Sequence, residues 1–351
     1  MNIILIILVF GIIVFFHEFG HFIVAKINKI SVTEFSIGMG PKLFGFKKKE
    51  TQYSIRLLPL GGYCLMVGEE EDAEDENAFG KKSVLARIMV VLAGPLFNFI
   101  LAFIFSIILI HYTGCDPATF SDVEDGSAAY EAGIRKGDTI KEIDGDNIYN
   151  YREFLLYRQL ADPEDPVKLT IESAETGDEY TVVVTPKKNE NGEYKLGVRG
   201  GYVASDGFLT DLKYGALECR YWVKATITSL KMIVTGGVSK DEVMGPVGVG
   251  GAMNDILEEV KEESTSTKET VINIILNMLN WCILLSVNLG IMNLLPIPAL
   301  DGGRLLFLFI EAITRKKIPA DKEAIVNFIG FVILILLMIF IFFNDVKNVF
   351  F

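Results

Sequence analysis

At 351 residues the chain has length for two or three domains, and half of it is hydrophobic, gathered in long apolar runs that exclude a purely water-soluble protein. The net charge of −12 arises in one stretch: residues 112–270 hold 30 Asp/Glu and 17 Lys/Arg, leaving 15 acidic and 16 basic residues elsewhere. No segment is basic enough for a nucleic-acid partner. The four cysteines, Cys64, Cys115, Cys219 and Cys282, are scattered without a C-x-x-C pair, so they define neither a disulfide framework nor a metal site. Cys115 and Cys219 share the acidic stretch and leave a pairing open, with free thiols the simpler reading.

The first apolar segment, about residues 3–25, is long enough to span a bilayer as a helix. It has no basic n-region or small-residue cleavage site, which argues against a removable signal peptide. Within it stands His17-Glu18-Phe19-Gly20-His21. Positions i and i+4 share a helix face, so both imidazoles can address one point. A glutamate beside the first histidine completes H-E-x-x-H, two zinc ligands and a general base. Such side chains are costly in hydrocarbon, and paired core histidines without function are the bland alternative. Zinc needs a third protein ligand. His111 is the one other histidine, and Asp301, inside a second apolar region, is the better candidate.

Residues 31–66 carry two β-rich runs, 31–37 and 51–58, broken by Gly38, Gly40, Pro41 and Gly45, which predict a β-hairpin. An acidic run, Glu69 to Glu76, follows as a solvated linker. A second span is predicted over about 84–111, containing Gly94-Pro95-Leu96-Phe97-Asn98. Glycine and proline there permit a kink and close helix approach. Asn98 either faces a metal cavity or bonds a neighbouring helix, the second being the commoner role.

Residues 116–190 resemble a PDZ domain: Ser127 to Gly145 has that fold's short helix, turn, strand and Asp-Gly hairpin. A helix over 151–160 and strands over 167–172 and 179–185 follow. Such a domain serves as a peptide filter or as a plain spacer. Residues 205–270 predict amphipathic helices, at about 221–234 and 254–263, lying at a membrane surface. A third span, about 271–295, continues brokenly past Pro296, Pro298 and Gly302-Gly303 to about 313, and a fourth covers 326–343. Lysines and arginines cluster between the first two spans and before the last, at Arg315, Lys316, Lys317 and Lys322. The positive-inside rule then places those loops in the cytoplasm and residues 112–270 with both termini outside.

Three motifs in order, H-E-F-G-H, G-P-L-F-N-F and N-L-L-P-I-P-A-L-D-G-G, resemble the site-2 protease family over nearly the whole chain, nearest to the bacterial regulator-of-sigma-E protease type. The resemblance implies an intramembrane zinc metalloprotease of the bacterial cytoplasmic membrane. It makes His17, His21 and Asp301 the zinc ligands, Glu18 the catalytic base, and Asn293 a residue that holds the substrate or the developing oxyanion. It also implies that the β-hairpin lies on the membrane and presents substrate as an added strand.

The expected fold is therefore a polytopic α-helical membrane protein with about four transmembrane helices, an inserted extracytoplasmic PDZ-like α+β domain and a cytoplasmic-side membrane-associated β-hairpin. Its expected parts are 1–111, the first two helices with the β-loop; 112–204, the PDZ-like domain; 205–270, a linker with amphipathic helices; and 271–351, the last two helices. The expected function is zinc endopeptidase cleavage of single-pass membrane proteins near their cytoplasmic side. By resemblance, these are anti-sigma factors or signal-peptide remnants already cut by another protease. A PDZ scaffold without catalysis or a divalent-metal transporter are the alternatives. The first leaves Glu18, both histidines and Asp301 without purpose, and the second lacks the internal repeats common in transporters.

Overall fold

The computed structural model describes residues 2–69, 73–189, 191–237 and 244–350. The chain begins with α1 (Asn2–Ile27), strands β1 (Val32–Lys48) and β2 (Thr51–Met66), and α2 (Val84–Thr113). A small α+β region follows: β3 (Asp122–Val123), α3 (Ala128–Glu131), β4 (Thr139–Ile143), β5 (Asp146–Asn147), α4 (Tyr151–Leu160), β6 (Val167–Glu172), β7 (Glu179–Val184), β8 (Lys187–Lys188), β9 (Tyr194–Lys195) and β10 (Val198–Arg199). Helices α5 (Phe208–Thr235), α6 (Pro246–Glu263), α7 (Thr267–Leu294), α8 (Asp301–Thr314) and α9 (Ala320–Phe350) complete it. Two compact units result, one formed by Met1–Phe105 with Thr226–Phe351, the other by Ser106–Ala225.

In the first unit, four helices among the described residues are long and apolar enough to cross a membrane: α1, α2 (which runs on into the second unit), α7 and the Lys322–Lys347 part of α9. Large apolar side chains stand exposed along them, among them Ile3, Leu85, Phe328 and Phe343, a surface suited to lipid rather than water. The predicted hairpin is present but more folded than expected. Residues 34–37 of β1 pair with 62–65 of β2 and also with 52–55, while 44–48 pair with 51–55. Two long strands thus make four short segments, and the base of this sheet is buried. Phe35, Cys64 and Met66 join Ala25, Val90, Val91, Leu305 and Leu308 in one apolar cluster drawn from α1, α2 and α8.

Helix α6 starts earlier than its acidic half implied. Its Met253 and Leu257 are fully buried with Val9, Ile13, Leu101, Met278 and Cys282, so it belongs to a helical core instead of lying alone on a surface. Asn2 ties it to α1 by donating to Asn254 and Glu258. Its N-terminus is capped from α9: Asp345, almost fully buried, accepts from the backbone of Gly245, Val247 and Gly248.

The second unit is built around a four-stranded sheet in the order β5-β4-β6-β7. Phe120, Ile134, Ile140, Ile143, Leu169 and Ile171 are wholly enclosed, with Phe154 of α4 packed on them. Alternate residues of β6, Val167, Leu169 and Ile171, point inward, as strand periodicity requires. Asn150 caps α4 by accepting from the Glu153 amide at 2.9 Å. Two ion pairs join α4 to α5, Arg152 with Glu218 and Arg220 with the fully buried Glu153. Cys64, Cys115, Cys219 and Cys282 are all free.

Candidate metal centre

The first two site residues are placed by helical geometry. His17 and His21 lie one turn apart on the buried face of α1, their Nε2 atoms 3.3 Å apart. The third needs a turn. Ser266 caps the start of α7 by accepting from the Glu269 amide, and the helix ends at Leu294, before Pro296 and Pro298. The chain then doubles back through residues 295–300, where Ala299 takes a left-handed φ of 74° and its amide donates to Asn327 of α9. Asp301 opens α8, the end of a helix that favours a carboxylate. The turn is tight because the next two residues have no side chains: a Cβ at Gly302 would lie 2.0 Å from the Leu295 carbonyl oxygen, and one at Gly303 2.4 Å from that of Ile297. A simple continuation of the third span would have carried Asp301 past the site. The reversal brings it back.

Asp301 Oδ2 lies 3.2 Å from His17 Nε2 and 3.5 Å from His21 Nε2. Among the described residues these three form a metal-capable group. Their fit to zinc can be tested by distance. Ligand atoms bound tetrahedrally at about 2.0–2.2 Å stand roughly 3.3–3.6 Å apart, and the observed edges are 3.2, 3.3 and 3.5 Å. Asp301 Oδ2 is also buried without a hydrogen-bond partner, despite two imidazoles close by. A buried carboxylate oxygen left so is explained by a cation. Two imidazoles and one carboxylate are a donor set that zinc accepts.

Helix α2 supports the imidazoles. The His21 Nδ1–H donates to the Val90 carbonyl at 2.9 Å, which leaves Nε2 with its lone pair. Gly94 faces both rings: a Cβ there would be 2.2 Å from His21 Nε2 and 2.9 Å from His17 Cε1. Asn98, fully buried, lies 3.2 Å from His17 Nδ1. Val90, Gly94 and Asn98 are spaced by four, one face of one helix. That spacing is visible in the sequence, where Gly94 reads as a site of kinking or close approach and Asn98 as facing a metal cavity or, more commonly, bonding a neighbouring helix.

Glu18 and Asn293 complete the set. Glu18, with His17, His21 and Asp301, lines a cavity of about 350 Å³ whose other walls include Tyr63, Cys64, Glu69 and Arg304. Asn293 Nδ2 stands 3.4 Å from His17 Nε2, the atom turned toward the centre. Four of the five residues singled out in the sequence therefore line one cavity and Asn293 reaches it through His17, while His111 pairs with Asp211 in the second unit. Not legible beforehand were Arg304 and Glu69, whose guanidinium–carboxylate pair joins α8 to the segment after β2. Arg304 also donates to the Glu69 carbonyl at 2.8 Å.

Comparison with known proteins gives the lineage. The sequence model of peptidase family M50 matches residues 5–337. A Clostridium perfringens chain named as a zinc metalloprotease is 39% identical over 348 residues, covering 99% of this chain and 98% of its own. The regulator of sigma-W protease RasP of Bacillus subtilis is 34% identical over 432 aligned positions, covering 98% of each chain. That alignment is longer than the 351 residues here, so RasP carries segments this chain lacks. Among solved structures, the PDZ domain of an SdrC-like protein from Listeria innocua matches 25% of this chain and 97% of its own, at 20% identity and a TM-score of 0.22. A family match over nearly the entire length, with identities of this order end to end, means that the chain belongs to peptidase family M50.

Proposed function

We propose that this zinc metalloendopeptidase cuts single-pass membrane proteins within the bilayer, near their cytoplasmic end. The observation that carries this is the convergence of His17, His21 and Asp301 within a unit whose helices present lipid-suited surfaces. Zinc held by these three side chains would supply a water of lowered pKa and polarise the scissile carbonyl. Glu18, in the same cavity, takes the proton from the attacking water and returns it to the leaving amine. Asn293 donates its amide toward the peptide oxygen as charge builds there.

A helical peptide hides its carbonyls in its own hydrogen bonds, so the substrate must unwind to be cut. Residues 62–65 of β2 pair on one side with β1, and Tyr63, Cys64, Leu65 and Met66 line the cavity. In this reading they hold the unwound substrate as an added strand. The second unit screens substrates: a groove of about 340 Å³ between α4 and residues 194–199 has the form in which a PDZ-like domain takes a peptide end. Its place would be outside the cell with both termini, given the basic loops expected inside, and substrates would arrive already shortened by another protease.

Co-expression with a single-pass membrane protein truncated on its outer side tests this. The native enzyme is expected to release a cytoplasmic fragment and Glu18→Gln to leave the substrate whole. The same fragment at the same rate from Glu18→Gln would refute the proposal.

A further inference from the structure

We propose that Asn98 is a positioning residue for the metal centre: its side-chain oxygen accepts the Nδ1 proton of His17 and so fixes the imidazole in the tautomer whose Nε2 lone pair faces the metal. The inference rests on the zinc reading above. A histidine can offer Nε2 to a metal only when its proton sits on Nδ1, and that proton needs an acceptor. For His21 the acceptor is settled, since the Val90 carbonyl at 2.9 Å can do nothing but accept. For His17 the group at Nδ1 is the Asn98 amide, 3.2 Å away.

With Nδ2 turned toward His17, the amide would make Nδ1 the acceptor and put the proton on Nε2. That proton would then point among His21 Nε2, 3.3 Å off, and Asp301 Oδ2, 3.2 Å off, where a cation belongs. Yet Asp301 Oδ2 has no aligned donor, and Asn98 Oδ1 is itself buried without a partner. The oxygen and nitrogen of an amide are assigned from their surroundings. Turned over, Oδ1 gains the Nδ1 proton and Nε2 is freed. One end of the amide stays unpaired in either orientation, so counting hydrogen bonds does not choose between them. A metal on Nε2 does.

Position supports the role. Asn98 is 0% exposed, and its own carbonyl accepts from the buried Ser286 hydroxyl of α7 at 2.9 Å. Its backbone is thus clamped between helices while its side chain reaches the ligand. Asn98 and Val90, two turns apart on α2, give the two imidazoles matching supports.

The test is zinc affinity of the full-length purified protein, measured by competition with a chelator, alongside melting of the metal-free forms. Asn98→Leu removes the acceptor and is expected to weaken zinc binding about 10- to 100-fold. Asn98→Asp keeps an acceptor and loses the donor, and is expected to hold zinc at native affinity or better, with metal-free melting close to native. Native affinity in Asn98→Leu overturns the proposal. So does a loss in Asn98→Asp as large as in Asn98→Leu, which would make the NH₂ group or packing the important feature. Should Asn98→Leu fail to insert, Asn98→Asp decides by itself: zinc retained supports the acceptor, and a tenfold loss excludes it. A native protein that binds no zinc would overturn the metal reading and this one together, whereas native binding with indifferent Asn98 variants overturns this one only.

Discussion

Gly94 and His21 meet with no room for a methyl group between them: a Cβ on residue 94 would fall 2.2 Å from His21 Nε2. Helix α2 approaches the ligands through a residue that has no side chain. Gly94→Ala must push both imidazoles aside, an overpacking strain of about 1–3 kcal/mol. We expect an inserted protein with a zinc affinity about 5- to 150-fold lower, measured by chelator competition. Native affinity in that variant would show that the rings can yield without cost.

Glu18→Gln keeps the shape of the side chain and removes its basicity. Zinc content should stay native while turnover falls by roughly 10²- to 10⁴-fold. Glycine or proline placed near the substrate's cut site should quicken the native enzyme, because unwinding is a separate requirement. The same helix breakers should leave Glu18→Gln as slow as before. A rescue by them would mean that Glu18 serves unwinding and not proton transfer.

Arg304 and Glu69 line the same cavity as His17, His21 and Asp301 and are paired with each other. Arg304→Met is expected to release the segment after β2 and to make Cys64, a buried cavity residue, react faster with a maleimide in a chain otherwise free of cysteine. Zinc content should change little, since the Arg304 guanidinium bonds Glu69 and pairs with Glu323. An unchanged labelling rate would show that the pair does not close the cavity.

In the second unit, Asp138 accepts from the amides of Arg135 and Ala174 and from the Tyr180 hydroxyl, each at 2.9 Å, and is 3% exposed. Asp138→Ala strands two amides and should cost about 2–4 kcal/mol, read as faster proteolysis within residues 106–225. Burial and the Asp138 carboxylate push the Tyr180 phenol from its ordinary 10 up to about 12. A raised value means that the neutral phenol is the stabilising form. Its contribution is complete below pH 10 and disappears as pH rises to about 12. Tyr180→Phe should remove that part of the alkaline destabilisation, and an identical alkaline profile would count against the assignment.

Much of this was legible because some signals are local. Helix α4 runs over 151–160 as expected, since Asn150 can cap it and its apolar face is continuous. The H-E-x-x-H pair needed only the helix repeat to meet. Asp301 reads in the sequence as the better candidate for a third ligand, but its route is hidden, because a reversal held by close backbone contacts at Gly302 and Gly303 leaves no periodic trace. Helix α6 was half seen: Gly248, Gly250 and Gly251 lower its helix propensity, and the burial of Met253 and Leu257 is conferred by other helices. Asn98 reads as a cavity residue or, more commonly, a helix bond, because one side chain's partner is a tertiary fact. Its backbone carbonyl does bond α7, while its amide turns to His17.

The reversal before α8 also has a bearing on synthesis. Asn293 and His17 are 276 positions apart in the chain, and Asp301 comes later still. A nascent chain that already holds His17, Glu18 and His21 therefore lacks Asp301 until translation has passed that residue and the turn has closed. On the zinc assignment proposed above, the growing polypeptide would lack a complete ligand set throughout most of its insertion.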